Sequence, residues 1–482
     1  MPLIFMGVAL GLVFGLMPGL GGLTALALFM PLIFGMEPGP ALAFLLAAHA
    51  VIYTGGSVTA VLMGIPGAPP NAATLADGFA MTQQGFGGRA VGNAVASSML
   101  GGIVGGFVLV GLVFVVRPLV MLFGLPEYFF LTLLGIAFIA VLGRESAVKG
   151  LISGVIGIFL SFVGVYPLSG IPRFTFGSIE LLGGFGIVPI ALGLFAVPEA
   201  LRLMIGGGTI AQVERREGSV SVKTVMNGVR DVFRHWRLVL QGSFIGTVIG
   251  IIPGVGGETA PFVAYGLAKH TSKTPEKFGR GCSEGIIAPE SANNAKEGGS
   301  LLPTLAFGIP GSSAMAVLMG AFLLVGIKPG PLFLQEHTDI AFTLAGTVIF
   351  ANIVGGMILL LLGVQLTKLT FLRGTVIGPI VLTFVVVGAY SMRGNLWDVW
   401  LTLAFGALGW VMQAQAYNRP ALFLGFVLGI MAERYFGLSM RTYDWLFFLR
   451  PISLTMFAAT IFVVFSGQIR RVIYLFRGKF AE

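Results

Sequence analysis

The sequence predicts an all-α polytopic membrane protein built as two homologous repeats, and three observations carry that reading. Of 482 residues, 56% are hydrophobic and only 10% charged, where an ordinary soluble domain has roughly 25% charged. With a mean hydropathy of +0.94, such a chain cannot cover itself with a hydrophilic surface, and its solvent is a bilayer. Second, apolar runs long enough to span, or nearly so, recur throughout and total about ten to fourteen membrane segments. Third, two blocks rich in Gly and Pro recur in the same order in each half of the chain, the mark of an internal duplication. The 72 glycines, about 15% of the chain against roughly 7% ordinarily, follow no collagen period. They sit inside apolar runs and read as close helix packing and broken helices.

In the first repeat, residues 1–205, short apolar stretches at 3–17, 23–36 and 41–53 are cut by Pro and Gly, and longer ones cover 90–116, 127–142, 150–168 and 184–205. The opening MPLIFMGVALGLVFGLM has no basic n-region and no cleavage site, so it reads as the first membrane segment. Residues 206–237 are polar and basic, as expected of a cytoplasmic linker between the halves. The second repeat, 238–482, begins with short stretches at 238–252 and 259–268 and continues with 301–326, 340–363, 375–390, 399–413, 420–432 and 446–466. Between them, IIAPESANNAKEGGSLLP at 286–303 is the most polar segment lying directly against apolar chain. It reads either as an asymmetric site or as a solvated loop.

The duplication is explicit. GLMPGLGGLTA at 15–25 aligns with GIIPGVGGETA at 250–260 at an offset of 235, with seven of eleven residues identical, and MGIPGAPP at 63–70 matches FGIPGSSA at 307–314 at an offset of 244. IVGG recurs at 103–106 and 353–356, and LGLFAVPE at 192–199 resembles LGIMAE at 428–433, which sets Glu199 opposite Glu433. Basic residues of the linker and of the tail (Arg470, Arg471, Arg477, Lys479) place both inside, which favours an even number of crossings in the second half and parallel repeats. Inverted repeats stay open, because short broken segments can be re-entrant and Lys269, Lys273, Lys277 and Arg280 form a further basic cluster.

A segment can leave the helix in hydrocarbon only where its freed N–H and C=O groups face protein, water or a ligand, so each paired break is a site candidate. In the first copy these are Pro18, Gly19, Gly21, Gly22 and Thr24, then Gly64, Pro66, Gly67 and Asn71. In the second they are Pro253, Gly254, Gly256, Gly257, Glu258 and Thr259, then Gly308, Pro310, Gly311, Ser312 and Ser313. Helix N-termini at such breaks suit a carboxylate, and the Ser, Thr and Asn side chains can donate to it or offer oxygens to Na⁺. Asn293 and Asn294 bring further donors and acceptors, and Glu258 is the better candidate for a coupling ion. Glu199 and Glu433 are expected in interface ion pairs with Arg202 and Arg434, and His49 reads as a packed core histidine.

Cofactor and metal chemistry are not expected: Cys282 is the single cysteine, and the four histidines show no ligand spacing. A net charge of +9 reflects cytoplasmic loops and not a nucleic-acid partner. No Ser/His/Asp order, HExxH or GxxxxGK[ST] occurs, so any uphill movement would draw on an ion gradient or a partner.

Together, GLMPGLGGLTA, MGIPGAPPNAATLADG with Asp77, IIPGVGGETAPFVAYGLAKH, PESANNAKEGGSLLPTLAFGIPGSSAMAVLMGAF and KPGPLF resemble the tripartite tricarboxylate transporters, specifically their large membrane subunit of TctA type. The resemblance covers essentially the whole chain. It implies a secondary transporter of the bacterial inner membrane that imports citrate-like or other carboxylates with Na⁺ or H⁺, beside a small four-helix membrane subunit and a periplasmic binding protein. Its motifs fall on Gly19, Gly21, Gly22, Gly64, Pro66, Gly67, Asp77, Gly254, Gly256, Gly257, Asn293, Asn294, Pro310, Gly311 and Ser312, and it implies a short segment upstream of Met1. Whether two chains form a homodimer is open. Two other classes compete. One is a gradient-independent anion channel, and the other an intramembrane enzyme, for which Ser57, Ser300, Ser312 and Ser313 with His49 are the only raw material.

Overall fold

A computed structural model describes residues 1–17, 20–120, 122–142, 146–205, 221–252, 257–366 and 374–478. Helix dominates throughout, and the described residues include one sheet, a two-residue antiparallel pair of β1 (Gly164–Val165) and β2 (Pro172–Arg173). Among the described residues six helices are long and apolar enough to cross a membrane, and seven shorter apolar ones accompany them.

The short ones form hairpins. Helix α1 (Pro2–Leu16) has 15 residues, about 22 Å of rise, well under the roughly 30 Å of a hydrocarbon core. It runs beside α3 (Pro38–Met63) in the same direction: Gly7, Gly11 and Gly15 lie against the backbone of Phe44, Ala48 and Ile52. Helix α2 (Gly22–Phe29) then returns, with Gly22 at His49 and Tyr53 and the Phe29 ring 6.0 Å from that of Phe44. The second half builds the same arrangement from α11 (Trp236–Ile251), α12 (Ala260–Thr271) and α13 (Glu284–Phe307). Gly242, Gly246 and Gly250 meet the backbone of Ala288, Ala292 and Lys296, so both members of every contact are displaced by the offsets seen in the sequence, 235 and 244. In each case only hydrogen at Cα permits the approach of two helix backbones.

Both α3 and α13 stop at a glycine in the left-handed conformation, Gly64 (φ 71) and Gly308 (φ 65), which no β-carbon would tolerate comfortably. The chain turns back after each. Gly67 donates its N–H to the Gly56 carbonyl (3.3 Å), and α4 (Ala72–Gln83) starts level with Tyr53 and Ser57. Gly311 donates to Thr304 Oγ1 (3.3 Å) ahead of α14 (Ser313–Leu324). The apolar run expected at 301–326 is therefore two helices with a break at Gly308.

Long helices α5 (Gly87–Val120) and α16 (Thr338–Leu366), the latter preceded by the one-turn α15 (Phe333–Glu336), cross at the centre, and each lies along the other half's core helix. Gly105 meets Ala295, and Gly355 meets Val51; Gly106 meets Ile349, and Gly356 meets Met99. These contacts are reciprocal, as at an interface between two copies of one fold. Opposite Glu297 and Glu290 of α13 stand His49 and Ser57 of α3, so the two core helices are antiparallel. Of the two arrangements the sequence leaves open, these two helices fit the inverted one. Among the described helices, α20 (Pro451–Gly478) has no counterpart in the order of the first half.

Around this centre lie α6 (Leu125–Leu142), α7 (Ala147–Ser161) and a segment of α8 (Ile187–Ala191), a π-turn (Leu192–Ala196) and α9 (Val197–Ile205). Their partners are α17 (Gly374–Arg393), α18 (Leu396–Ala414) and α19 (Arg419–Tyr443). Helix α10 (Val222–Arg234), in the expected linker, begins with a Ser221–Thr224 capping box and packs Gly228 onto Gly92 of α5.

Candidate functional site

The polar run of α13 decides where chemistry can occur. Every residue from Gly285 to Ala306 is buried, including Glu290, Asn293, Asn294, Lys296, Glu297 and Ser300. A solvated loop is thereby ruled out for this segment. A helix that is polar on a fully enclosed face must find its partners on neighbouring elements.

Two groups of partners form. In the first, Lys296 Nζ lies 2.6 Å from Glu297 Oε1, His49 Nε2 is 3.0 Å from Glu297 Oε2, and the Lys296 ammonium sits 3.6 Å from the centre of the Tyr53 ring. Lys296 and Glu297 are each 2% exposed. Breaking such a pair leaves an uncompensated buried charge, and the aromatic face adds a cation–π contact. Among the described residues His49 Nδ1 has no partner. Both broken hairpins close on this group: Gly22 abuts the His49 ring and the Tyr53 hydroxyl, and Gly257 abuts the Lys296 side chain.

In the second group Glu290 is the centre. Ser57 Oγ donates to its Oε2 at 2.7 Å, Ser98 Oγ to the same oxygen at 2.9 Å, and Thr74 Oγ1 to Oε1. Asn71 donates to Ser57 Oγ (2.7 Å) and to the Tyr53 carbonyl (2.9 Å), while its Oδ1 accepts from Ala68 N–H (3.1 Å). Asn294 donates to Thr54 Oγ1 (2.8 Å) and to Asn352 Oδ1 (2.5 Å), which ties α3, α13 and α16 together. Asn293 is fully buried beside Glu290.

Of the residues singled out by sequence, Gly22, Gly67, Asn71, Gly257, Asn293 and Asn294 converge on this region. Pro18, Gly19, Pro253, Gly254 and Gly256 lie outside the described residues. Thr24 turns away, donating to the Phe195 carbonyl at 3.4 Å. Ser312 caps α14 by accepting from Met315 N–H (3.3 Å), beside the half-buried Ser313. Glu258 and Thr259 are half-buried just before α12. Asp77 clamps the loop before α13, accepting from the N–H groups of Gly279, Gly281 and Cys282 at 2.9 Å and from the Tyr265 hydroxyl at 2.9 Å. Burial and the nearby Asp77 push the Cys282 thiol in that loop up to about 12. At the interfaces Arg202 pairs with Glu199 as expected (Nε to Oε1, 3.0 Å), but Glu433 pairs with Arg173 at 2.6 Å and not with Arg434. The partner comes from the loop carrying β1 and β2, which no local spacing announces.

Sequence reasoning leaves His49, Tyr53, Ser57, Ser98, Glu290, Lys296 and Glu297 outside the candidate site. The signal was present in the run of polar residues at 290–297, but its partners are 192 to 248 residues away.

The match to a family model settles the kinship: residues 1–432 fit the tripartite tricarboxylate transporter TctA family. The chain belongs to that family. It is 34% identical over 443 residues, 90% of this chain and 86% of the relative, to the uncharacterized 52.8 kDa protein in the TAR-I ttuC' 3' region of Agrobacterium vitis. A second relative, the uncharacterized protein in the TAR-II ttuC' 3' region of the same organism, is 34% identical over 199 residues, 40% of this chain and 81% of the relative. No solved structure matches the chain. As a TctA-family member it is a membrane-embedded transporter subunit of tricarboxylate-transporter type, a family of large subunits that implies a small membrane subunit and a binding protein as partners.

Proposed function

We propose that this TctA-family chain imports a tricarboxylate or related carboxylate across the bacterial inner membrane, receiving it from a periplasmic binding protein and driven by a Na⁺ or H⁺ gradient. Residues 1–205 and 238–482 act as two inverted repeats joined by the cytoplasmic segment 206–237. The observation that carries the reading is Lys296, a cation buried where the antiparallel core helices cross and where both broken hairpins arrive. A carboxylate entering there would compete with Glu297 for the Lys296 ammonium and take further hydrogen bonds from His49, Tyr53 and the N–H groups freed at the hairpin breaks. One group of elements would then shift relative to the other and open the site to each face in turn.

Uptake of labelled carboxylates into proteoliposomes tests this, using this chain with its small membrane subunit, with and without the binding protein, under imposed Na⁺ or H⁺ gradients. Accumulation that needs both the gradient and the binding protein is the expected result. Uptake indifferent to both would make the protein a channel and overturn the proposal.

A further inference from the structure

We propose that Glu290 is the residue that takes up and releases the coupling proton, an assignment that rests on the gradient-driven reading above and narrows its cation to H⁺. The argument is a hydrogen count. Glu290 is fully buried, and among the described residues three hydroxyls bond its carboxyl, from Ser57 on α3, Thr74 on α4 and Ser98 on α5, with the Asn293 amide of its own helix beside it. A hydroxyl has one hydrogen to donate. Ser57 Oγ, 2.7 Å from Oε2, is also 2.9 Å from the Tyr53 carbonyl; Ser98 Oγ, 2.9 Å from Oε2, is also 3.2 Å from Asn294 Oδ1. Each therefore has two acceptors in place for a single hydrogen.

Two arrangements follow on the same heavy-atom positions. With Glu290 ionised, all three hydroxyls turn toward it. With a proton on Oε2, the new O–H donates to Ser57 or Ser98, whose own hydrogen swings to the Tyr53 carbonyl or to Asn294 Oδ1. Asn71 donates to both Tyr53 O and Ser57 Oγ and keeps both satisfied in either arrangement. A metal ion would need these oxygens turned lone pair first and spread to coordination distance. A proton needs only hydroxyl rotation. The second arrangement also places no charge among the three hydroxyls.

The charged neighbours are engaged elsewhere. On α3, His49 is bonded to Glu297, and Tyr53 offers its ring to Lys296. Asp77 of α4 is held by the loop N–H groups and by Tyr265 of α12, Arg89 of α5 is paired with Asp231, and Glu284 of α13 lies 3.6 Å from His235. Lys296 is paired with Glu297, α16 contributes Asn352 through Asn294, and α11 has no titratable side chain between Leu238 and Ile251. Protonation reaches the substrate region through Asn294 and Tyr53, whose hydrogen bonds change with it.

Infrared difference spectra of the purified protein in lipid nanodiscs, titrated with pH, read the group directly. The expected result is a protonated-carboxyl band that vanishes in Glu290→Gln, shifts in Ser98→Ala and is unaffected by Na⁺ at fixed pH. A band unchanged in Glu290→Gln, or one abolished by Na⁺, overturns the assignment. In proteoliposomes, the ratio of uptake with and without a pH gradient should fall to about one in Glu290→Gln; a ratio equal to wild type would also overturn it. If the wild type takes up no carboxylate at all, the transport reading fails, while the infrared band still decides the fate of Glu290.

Discussion

Helices α3 and α13 occupy equivalent places, are antiparallel neighbours and carry almost opposite chemistry. Each is flanked by a glycine-faced partner helix at the same spacing, and each ends at a left-handed glycine. Yet at the shared offset of 244, Leu46 stands for Glu290, His49 for Asn293, Ala50 for Asn294, Ile52 for Lys296 and Tyr53 for Glu297. Backbone contacts have kept the duplication, because two helices in van der Waals contact at Cα tolerate nothing larger than glycine. The polar groups have not. Symmetry thus serves the scaffold and the hairpins, while α13 supplies the charges and α3 supplies hydroxyls, an imidazole and a phenol to satisfy them.

The sharpest way to break this comparison is to unbalance α13. Glu297→Gln should destabilise the protein by about 3–5 kcal/mol, since Lys296 then stays buried without its counter-charge. Thermal unfolding in detergent would reveal it, and Lys296→Met combined with Glu297→Leu should recover most of the loss. Next come the equivalent glycines. Gly11→Ala and Gly246→Ala should cost similar amounts, about 1–3 kcal/mol each, as overpacking against Ala48 and Ala292; a large inequality in unfolding midpoints would show that the scaffold symmetry is only apparent. Smaller still, Thr24→Val removes one 3.4 Å hydrogen bond, at about 0.5–1.5 kcal/mol, and should leave uptake unaltered. Finally, Cys282 should resist alkylation near pH 8. A thiol raised from 9.0 to about 12 has roughly a thousand-fold less thiolate, the reactive form. Its labelling should accelerate in Asp77→Asn, which removes the nearby negative charge and loosens the loop; equal rates would sever that link.

The duplicated breaks were legible because Gly and Pro leave a signature in the chain itself: the alignment of 15–25 with 250–260 located both hairpins, and the GIPG pair located the ends of α3 and α13. Asn71 was legible for the same reason, lying just after the first GIPG, and Asn294 because it stands in a polar run set directly against apolar chain. Lys296 and Glu297 were seen but not placed, since a run of Glu, Asn, Lys and Ser among alanines and glycines lacks the strong apolar stripe that would separate a buried helix from a loop. Ser57 was read only as raw material for an enzyme and Ser98 was not singled out: a serine in an apolar helix ordinarily bonds its own backbone, and only the fold shows that both reach Glu290. Thr24 illustrates the converse, a polar residue well placed by the motif that packing directs to the Phe195 carbonyl.

The central claim is that the crossing of α3 and α13 at Lys296 holds the carboxylate. It is tested most directly by equilibrium binding of a labelled carboxylate panel to the wild type and to the Lys296→Met, Glu297→Leu double variant, both verified as folded by their unfolding curves. The account predicts saturable binding to the wild type and at least a hundredfold weaker binding to the double variant. Equal affinity for the two proteins would place the site elsewhere and contradict it.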